Sequence, residues 1–161
     1  TDRSSADVIT WCVFGDGGVM LAAIRNPSRA KILALENEMI KHEQVTLDPV
    51  HYLAGGVYAR ELLIPKGVVV TGKVHKGDHL FFVMSGDLEV MTDDGVKRIK
   101  APAILSSKAG IKRVAYAYED TICVAVHATD KTEIKDIEDE LVEPVSPLTS
   151  VVHTKNIEGN L

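Results

Sequence analysis

Between residues 44 and 128 the chain is cut at short intervals by turn-forming triplets: Ala54-Gly55-Gly56, Pro65-Lys66-Gly67, Lys76-Gly77-Asp78, Ser85-Gly86-Asp87, Asp93-Asp94-Gly95 and Lys108-Ala109-Gly110. Between them lie runs rich in Val, Ile, Leu, Tyr and Phe, the residues that suit a pleated, half-buried surface. Breaks this frequent leave no room for helices of ordinary length. The segment therefore predicts about six strands at roughly ten-residue spacing, arranged as an antiparallel sandwich or barrel.

The flanks read differently. Residues 7–25, "DVITWCVFGDGGVMLAAIR", are two β-rich runs around "GDGG", which predicts a hairpin. Next, Asn26 can cap, Pro27 suits a first helical position, and Ile32, Leu35, Met39 and Ile40 recur at helical spacing, so a helix is expected from Pro27 to Lys41. After the β segment, Asp130 and Glu133 form a capping-box pattern ahead of the stripe Ile134, Ile137 and Leu141, which predicts an amphipathic helix over 129–142. Residues 143–161 carry two prolines and little periodicity, and read as an extended arm.

A chain of 161 residues supports one core, so residues 1–161 are expected to be a single domain: hairpin and helix over 1–43, β body over 44–128, helix over 129–142 and arm over 143–161. An arm of this kind needs support, and a second copy of the chain is the expected one, in a dimer or a higher homo-oligomer. The net charge of -5 supplies no basic field for nucleic-acid phosphates, although Lys108, Lys112 and Arg113 form a local basic group. Cys12 and Cys123 sit singly in apolar runs, as small buried thiols of a reducing cytoplasm would. No apolar stretch reaches the roughly 20 residues of a membrane helix, and "TDRSSADVIT" lacks the order of a signal peptide, so a soluble, cytoplasmic protein is expected. A start at Thr1 is what removal of an initiator Met would leave.

The chemistry concentrates in "TGKVHKGDHLFFVMSGDLEV", residues 71–90. If "TGKVH" is a strand, Lys73 and His75 share a face, and a turn at "KGD" returns His79 beside His75. Two imidazoles can thus converge, but a metal site normally takes three protein ligands. His127, in "VAVHAT", and His51, in "DPVHY", are the candidates for the third. Elsewhere, "GDGGVM" lacks the Lys-Ser/Thr ending of a phosphate loop, and Ser106 and Ser107 lack a nucleophile-elbow setting. "EDTICV" and "DIEDE" read as solvated charge, and Met20 and Met39 as core.

The central block resembles the cupin family of antiparallel β-barrels, the RmlC-like cupins, over roughly residues 55–128. In the family's first motif, a His-x-His pair is followed by a glutamate and then a glycine; here Gly86 closes the spacing, His75 matches the second histidine, Lys73 replaces the first and His79 stands for the glutamate. In the second motif Gly110 matches the turn, Lys108 replaces its proline and Arg113 falls at the histidine position. The wider pattern "GVYARELLIPKG", "GKVHKGDHL", "APAILSSKAGIKRVAYAYEDT" and "VAVHATD" is similar to cupin-like proteins encoded by tailed bacteriophages.

The resemblance implies a cupin-like barrel and two kinds of site. One is a divalent zinc, iron, nickel or manganese ion on His75, His79 and His127, opposed by the cations Lys73 and Arg113 unless an anion compensates. The other is an anion pocket of Lys73, His75, His79 and Arg113, with Tyr58, Tyr116 or Tyr118 available as acids, as in metal-free epimerases. A purely structural role is the third reading, with Arg113 paired to Glu61, Glu119 or Asp120. Because no complete catalytic set can be assembled, the preferred function is a non-catalytic binding or assembly protein, phage-encoded as the resemblance implies, docking through its terminal extensions to itself or to a virion or host protein. The alternative is a small-molecule cupin enzyme or ligand sensor with an open barrel mouth.

Overall fold

The computed structural model describes residues 10–13, 28–39, 41, 44–92 and 95–144. The elements run β1 (Thr10–Val13), α1 (Arg29–Met39), β2 (Val50–Ala54), β3 (Val57–Ile64), β4 (Val68–Thr71), β5 (His79–Ser85), β6 (Asp87–Thr92), β7 (Gly95–Lys100), β8 (Ala103–Ser107), β9 (Val114–Ala117), β10 (Thr121–Ala128) and α2 (Ile134–Leu141). The ten strands form two antiparallel sheets of five, in the orders β1-β4-β9-β6-β7 and β2-β3-β10-β5-β8. Mainly β architecture follows from the turn triplets, but residues 44–128 hold nine strands, more than the turn signals predict. The connections at Ala101–Pro102 and Tyr118–Asp120 carry no glycine and fall outside the turn triplets, with Pro102 the one break signal in them.

Period-two burial builds the interior. Along β10, Thr121, Cys123, Ala125 and His127 turn inward, and along β3 Tyr58, Leu62 and Ile64 do. One cluster joins Leu62, Ile64, Val83 and Cys123 of the second sheet to Val68, Val70, Leu88, Ile99 and Ala117 of the first, so the sheets share a core. Gly86, at φ +89°, lies between β5 and β6, where the chain passes from one sheet to the other. A Cβ there would stand 2.5 Å from the Asp120 carbonyl oxygen and 2.7 Å from Thr121 Cα, which is why this turn takes glycine.

The outer face of the first sheet is covered by α1, whose Ile32, Leu35 and Met39 pack on Val69, Met91 and Val114. This explains why all four residues of β4 are buried. Lys112 Nζ meets Glu36 of α1 at 2.5 Å with both side chains withdrawn from solvent, fixing the helix electrostatically as well. The helix begins at Arg29, where Ser28 Oγ accepts a 3.4 Å hydrogen bond from Lys31 N–H. The expected start at Asn26 and Pro27 lies outside the described residues, as do the hairpin over 7–25 apart from β1, Met20, and the arm beyond Pro144. β1 pairs with β4, Trp11 opposite Val70.

α2 is shorter than the expected 129–142 and does not use the capping box. Its N-cap is Glu133, with no side-chain cap hydrogen bond. Thr129 Oγ1 instead bonds the Glu140 carboxylate and accepts from Lys131 N–H at 3.1 Å. "DIEDE" also departs from the solvated reading, because Glu138 is buried against Lys73.

Candidate functional site

The cross-strand register collects histidines on the inner face of the second sheet. His127 of β10 lies opposite Tyr58 of β3, and His79, the first residue of β5, lies opposite Ser107 of β8. His75 arrives from outside the sheet. β4 ends at Thr71, so "TGKVH" is not one continuous strand, yet Val74 is buried while Lys73 and His75 both line the cavity. His75 is pinned by backbone contacts: it bridges Val142, Lys76 N–H donates to the Leu141 carbonyl at 2.8 Å, and Gly110 N–H donates to the His75 carbonyl at 2.8 Å. The end of α2 and the Gly110 turn thus hold this imidazole in place.

The His127 ring stacks on both others, with centroids 4.7 Å from His75 and 4.4 Å from His79, while His75 and His79 are tilted to each other at 4.3 Å. One donor atom from each lies within 4.8 Å of the others. A metal bound at about 2.0–2.1 Å would draw them somewhat closer. Burial first, then the neighbouring histidines and the Arg60 and Arg113 charges, pushes the His75 pKa down to about 2. Burial, His79 and Arg60 lower His127 to about 4, and burial lowers His79 as well, partly countered by the Gly77 carbonyl. All three are therefore neutral at pH 7, the form that donates a lone pair to a metal.

Second contacts fit the same use. His79 Nδ1 lies 3.4 Å from the Gly77 carbonyl oxygen, which favours the proton on Nδ1 and leaves Nε2 as the donor atom. His75 Nδ1 is buried with no hydrogen-bond partner among the described residues, a costly state for a group whose role is packing alone. His51 does not join them: its Nδ1 lies 2.8 Å from the Tyr58 hydroxyl, whose ring stacks 6.4 Å from His127. Both belong to the layer behind the cluster.

His75 and His79 form one end of a cavity of about 570 Å³ between the sheets. Lys73 and Arg113 line it, as does Arg60 of β3, which the sequence reading did not single out. Its signal was present: in "VYARELLI" Arg60 alternates with Tyr58, Leu62 and Ile64 on the inward side. Lys73 is neutralised, its Nζ 3.2 Å from the Glu138 carboxylate. Arg113 does not pair with Glu61, Glu119 or Asp120; it donates to the Ile111 and Lys108 carbonyls at 3.1 and 3.0 Å. Tyr116 is a correction as well. Its neighbour Ala115 lines the cavity, so Tyr116 turns to the opposite face, against the α1 cluster and edge-on to Tyr118.

The local basic group disperses in the fold. Lys108 lines the cavity but pairs with Asp78 at 2.7 Å, Lys112 pairs with Glu36, and Arg113 lines the cavity with no carboxylate partner among the described residues. Cys123 also lines the cavity wall, but burial pushes its thiol up to about 12, which makes it an inert apolar surface.

No protein-family model matches the chain, and no curated protein matches its sequence. Among solved structures, the fold is similar to KdgF from Halomonas sp., at 14% identity and a TM-score of 0.47 over 60% of this chain and 94% of that one. It is also similar to a cupin superfamily protein from Desulfitobacterium hafniense DCB-2, at 14% identity and a TM-score of 0.46 over 58% of this chain and 87% of that one. An acetylacetone dioxygenase from Acinetobacter johnsonii aligns at 13% identity and a TM-score of 0.44 over 51% of this chain, which spans 59% of the dioxygenase. These are likenesses of fold, and the chemistry of the site rests on its own residues.

Proposed function

We propose that this chain is a cupin-like small-molecule protein, an enzyme or a ligand sensor, whose cavity is built around a divalent transition metal held by His75, His79 and His127. The observation that carries this reading is the convergence of three neutral imidazoles, two of them lining a cavity and one with a buried nitrogen that has no hydrogen-bond partner among the described residues. An ion there would supply a Lewis acid for an oxygen-donor ligand. The chain's own residues position that ligand: the α2 end and the Gly110 turn orient His75, and Glu138 cancels the Lys73 charge beside it. A cavity of about 570 Å³, lined by His75 and His79 together with Arg60 and Arg113, favours this reading over a scaffold with a sealed mouth. Metal analysis of protein purified without a histidine tag is the test. About one zinc, iron, nickel or manganese per chain is expected, lost in a His79→Ala/His127→Ala variant; absence of stoichiometric metal after equilibration with each ion would sink the proposal.

A second reading, compatible with the first, is assembly into a homo-oligomer, with the resemblance to phage-encoded proteins suggesting virion or host contacts. The terminal extensions first expected to drive it lie largely outside the described residues. What supports it is the outer face of the second sheet, where Val50, Tyr52, Leu63, Leu80, Met84 and Ile104 are all exposed. A second copy of this chain, with the same apolar face, is the occupant we propose. Sedimentation should show a dimer or larger species that a Leu63→Lys/Met84→Lys variant dissociates; a monomeric parent protein would remove this reading.

A further inference from the structure

We infer that the ligand of this cavity is an organic monoanion with an apolar body, its carboxylate or equivalent head held by Arg60 and Arg113 beside the histidine cluster and its hydrocarbon part lying along the wall between the sheets. The inference rests on the cavity being a ligand site, as proposed above, and adds the chemical class of the occupant.

Charge is the first argument. Among the described residues no aspartate or glutamate lines the cavity, whereas Arg60, Lys73, Lys97, Lys108 and Arg113 do. Lys73 and Lys108 have carboxylate partners in Glu138 and Asp78. Among the described residues Arg113 is held only by backbone carbonyls, which orient its fork and leave its charge unmatched there. Arg60 makes no ion pair with any described residue, and its charge is felt at His75, His79 and His127. Two guanidinium groups left without an anion in a poorly hydrated space form a site that a carboxylate would complete with bidentate, charge-assisted hydrogen bonds. A bound anion would also offset the repulsion between those arginines and a divalent ion.

Shape is the second argument. Beyond the arginines the wall is hydrocarbon, including Leu62, Val70, Phe81, Leu88, Ile99 and Leu105. The cavity of about 570 Å³ falls within the range of small-molecule sites, roughly 300–1,000 Å³. A small hydrated anion such as phosphate would leave that wall uncovered. An amphipathic acid would cover it, at roughly 25 cal/mol for each Å² of apolar surface removed from water.

Isothermal titration of the full chain, in the absence and presence of zinc, against octanoate, octylamine, 1-octanol and acetate tests this. Octanoate should bind at least about tenfold more tightly than each of the other three, since a charge-assisted hydrogen bond is worth one to two factors of ten. Arg60→Gln should weaken octanoate by about tenfold or more and leave 1-octanol unchanged, with Arg60→Lys intermediate. Arg60 has no ion-pair partner among the described residues to strand, and thermal melts of each variant check its fold. Octylamine or 1-octanol binding as tightly as octanoate, an Arg60→Gln variant with unaltered octanoate affinity, or no octanoate binding at all would each overturn the inference. Zinc uptake measured on the same samples separates the two proposals: octanoate binding without stoichiometric metal retains the arginine site and removes the metal centre, and metal without octanoate does the reverse.

Discussion

The two sheets differ in what covers their backs. The first is buried on both faces, its inner side by the shared core and its outer side by α1. The second mixes His79, His127, Tyr58 and Arg60 with core residues on its inner face and carries exposed apolar residues, Leu63, Leu80, Met84 and Ile104, on its outer face. The first sheet is a structural wall. The second gives part of its interior to chemistry, alongside the core residues Leu62, Ile64, Val83 and Cys123. The contrast shows why the helices matter to the site: each is tied to the β body by one buried lysine–glutamate pair, Lys112 with Glu36 and Lys73 with Glu138.

The largest effect should come from breaking the covered side. Lys112→Met leaves the Glu36 carboxylate buried and unpaired, and urea unfolding should report a loss of about 3–5 kcal/mol. Adding Glu36→Leu should restore most of that stability, because the uncompensated charge is then gone. Failure of the second substitution to rescue would mean that α1 is held by packing alone. Packing itself is probed by Ile32→Ala, where a fully buried side chain on Val69, Met91 and Val114 should cost about 3 kcal/mol.

Acid should act on the second sheet. His75 and His127 have folded pKa values near 2 and 4, below the ordinary 6.5 of an unfolded chain, so the unfolded state binds more protons. Their stability contribution is complete above about pH 6.5 and is lost as pH falls through 6.5 toward those values, with a ceiling near 1.4 kcal/mol per pH unit for each histidine. Urea midpoints of metal-free protein between pH 7 and 5 should fall, and a His75→Gln variant should flatten the decline. An unchanged slope in that variant would show that His75 is not buried as a neutral group. Smallest of all should be Met84→Ser on the bare outer face, within about 0.5 kcal/mol in a monomer. A much larger loss, appearing only at high protein concentration, would mean that the face is covered by a second copy.

How much of this was legible depended on distance along the chain. The meeting of His75 and His79 could be read because the turn at Lys76-Gly77-Asp78 lies between them, and Gly86 could be singled out by its spacing from His79. Arg60 was legible in the alternation of β3 but carried no motif. The pairing of Lys73 with Glu138 was hidden because α2 reaches its partner only after the whole β body has formed. Tyr116 was misassigned because its strand is buried on both sides, where a half-buried position has two interiors to face.

By itself, then, the sequence determined the β-rich body, the two helical segments, the histidine pair and the glycine at the turn between sheets. Each of these depends on interactions within a few residues, where turn chemistry and side-chain periodicity act. Tertiary structure alone decided that His127 completes the cluster, that Arg60 and Arg113 share a cavity lined by no acidic residue among those described, and that a helix backs one sheet while, among the described residues, the outer face of the other carries exposed apolar side chains. Those outcomes follow from the register of strands far apart in the chain, which is selected by burial of the whole core and by no local signal.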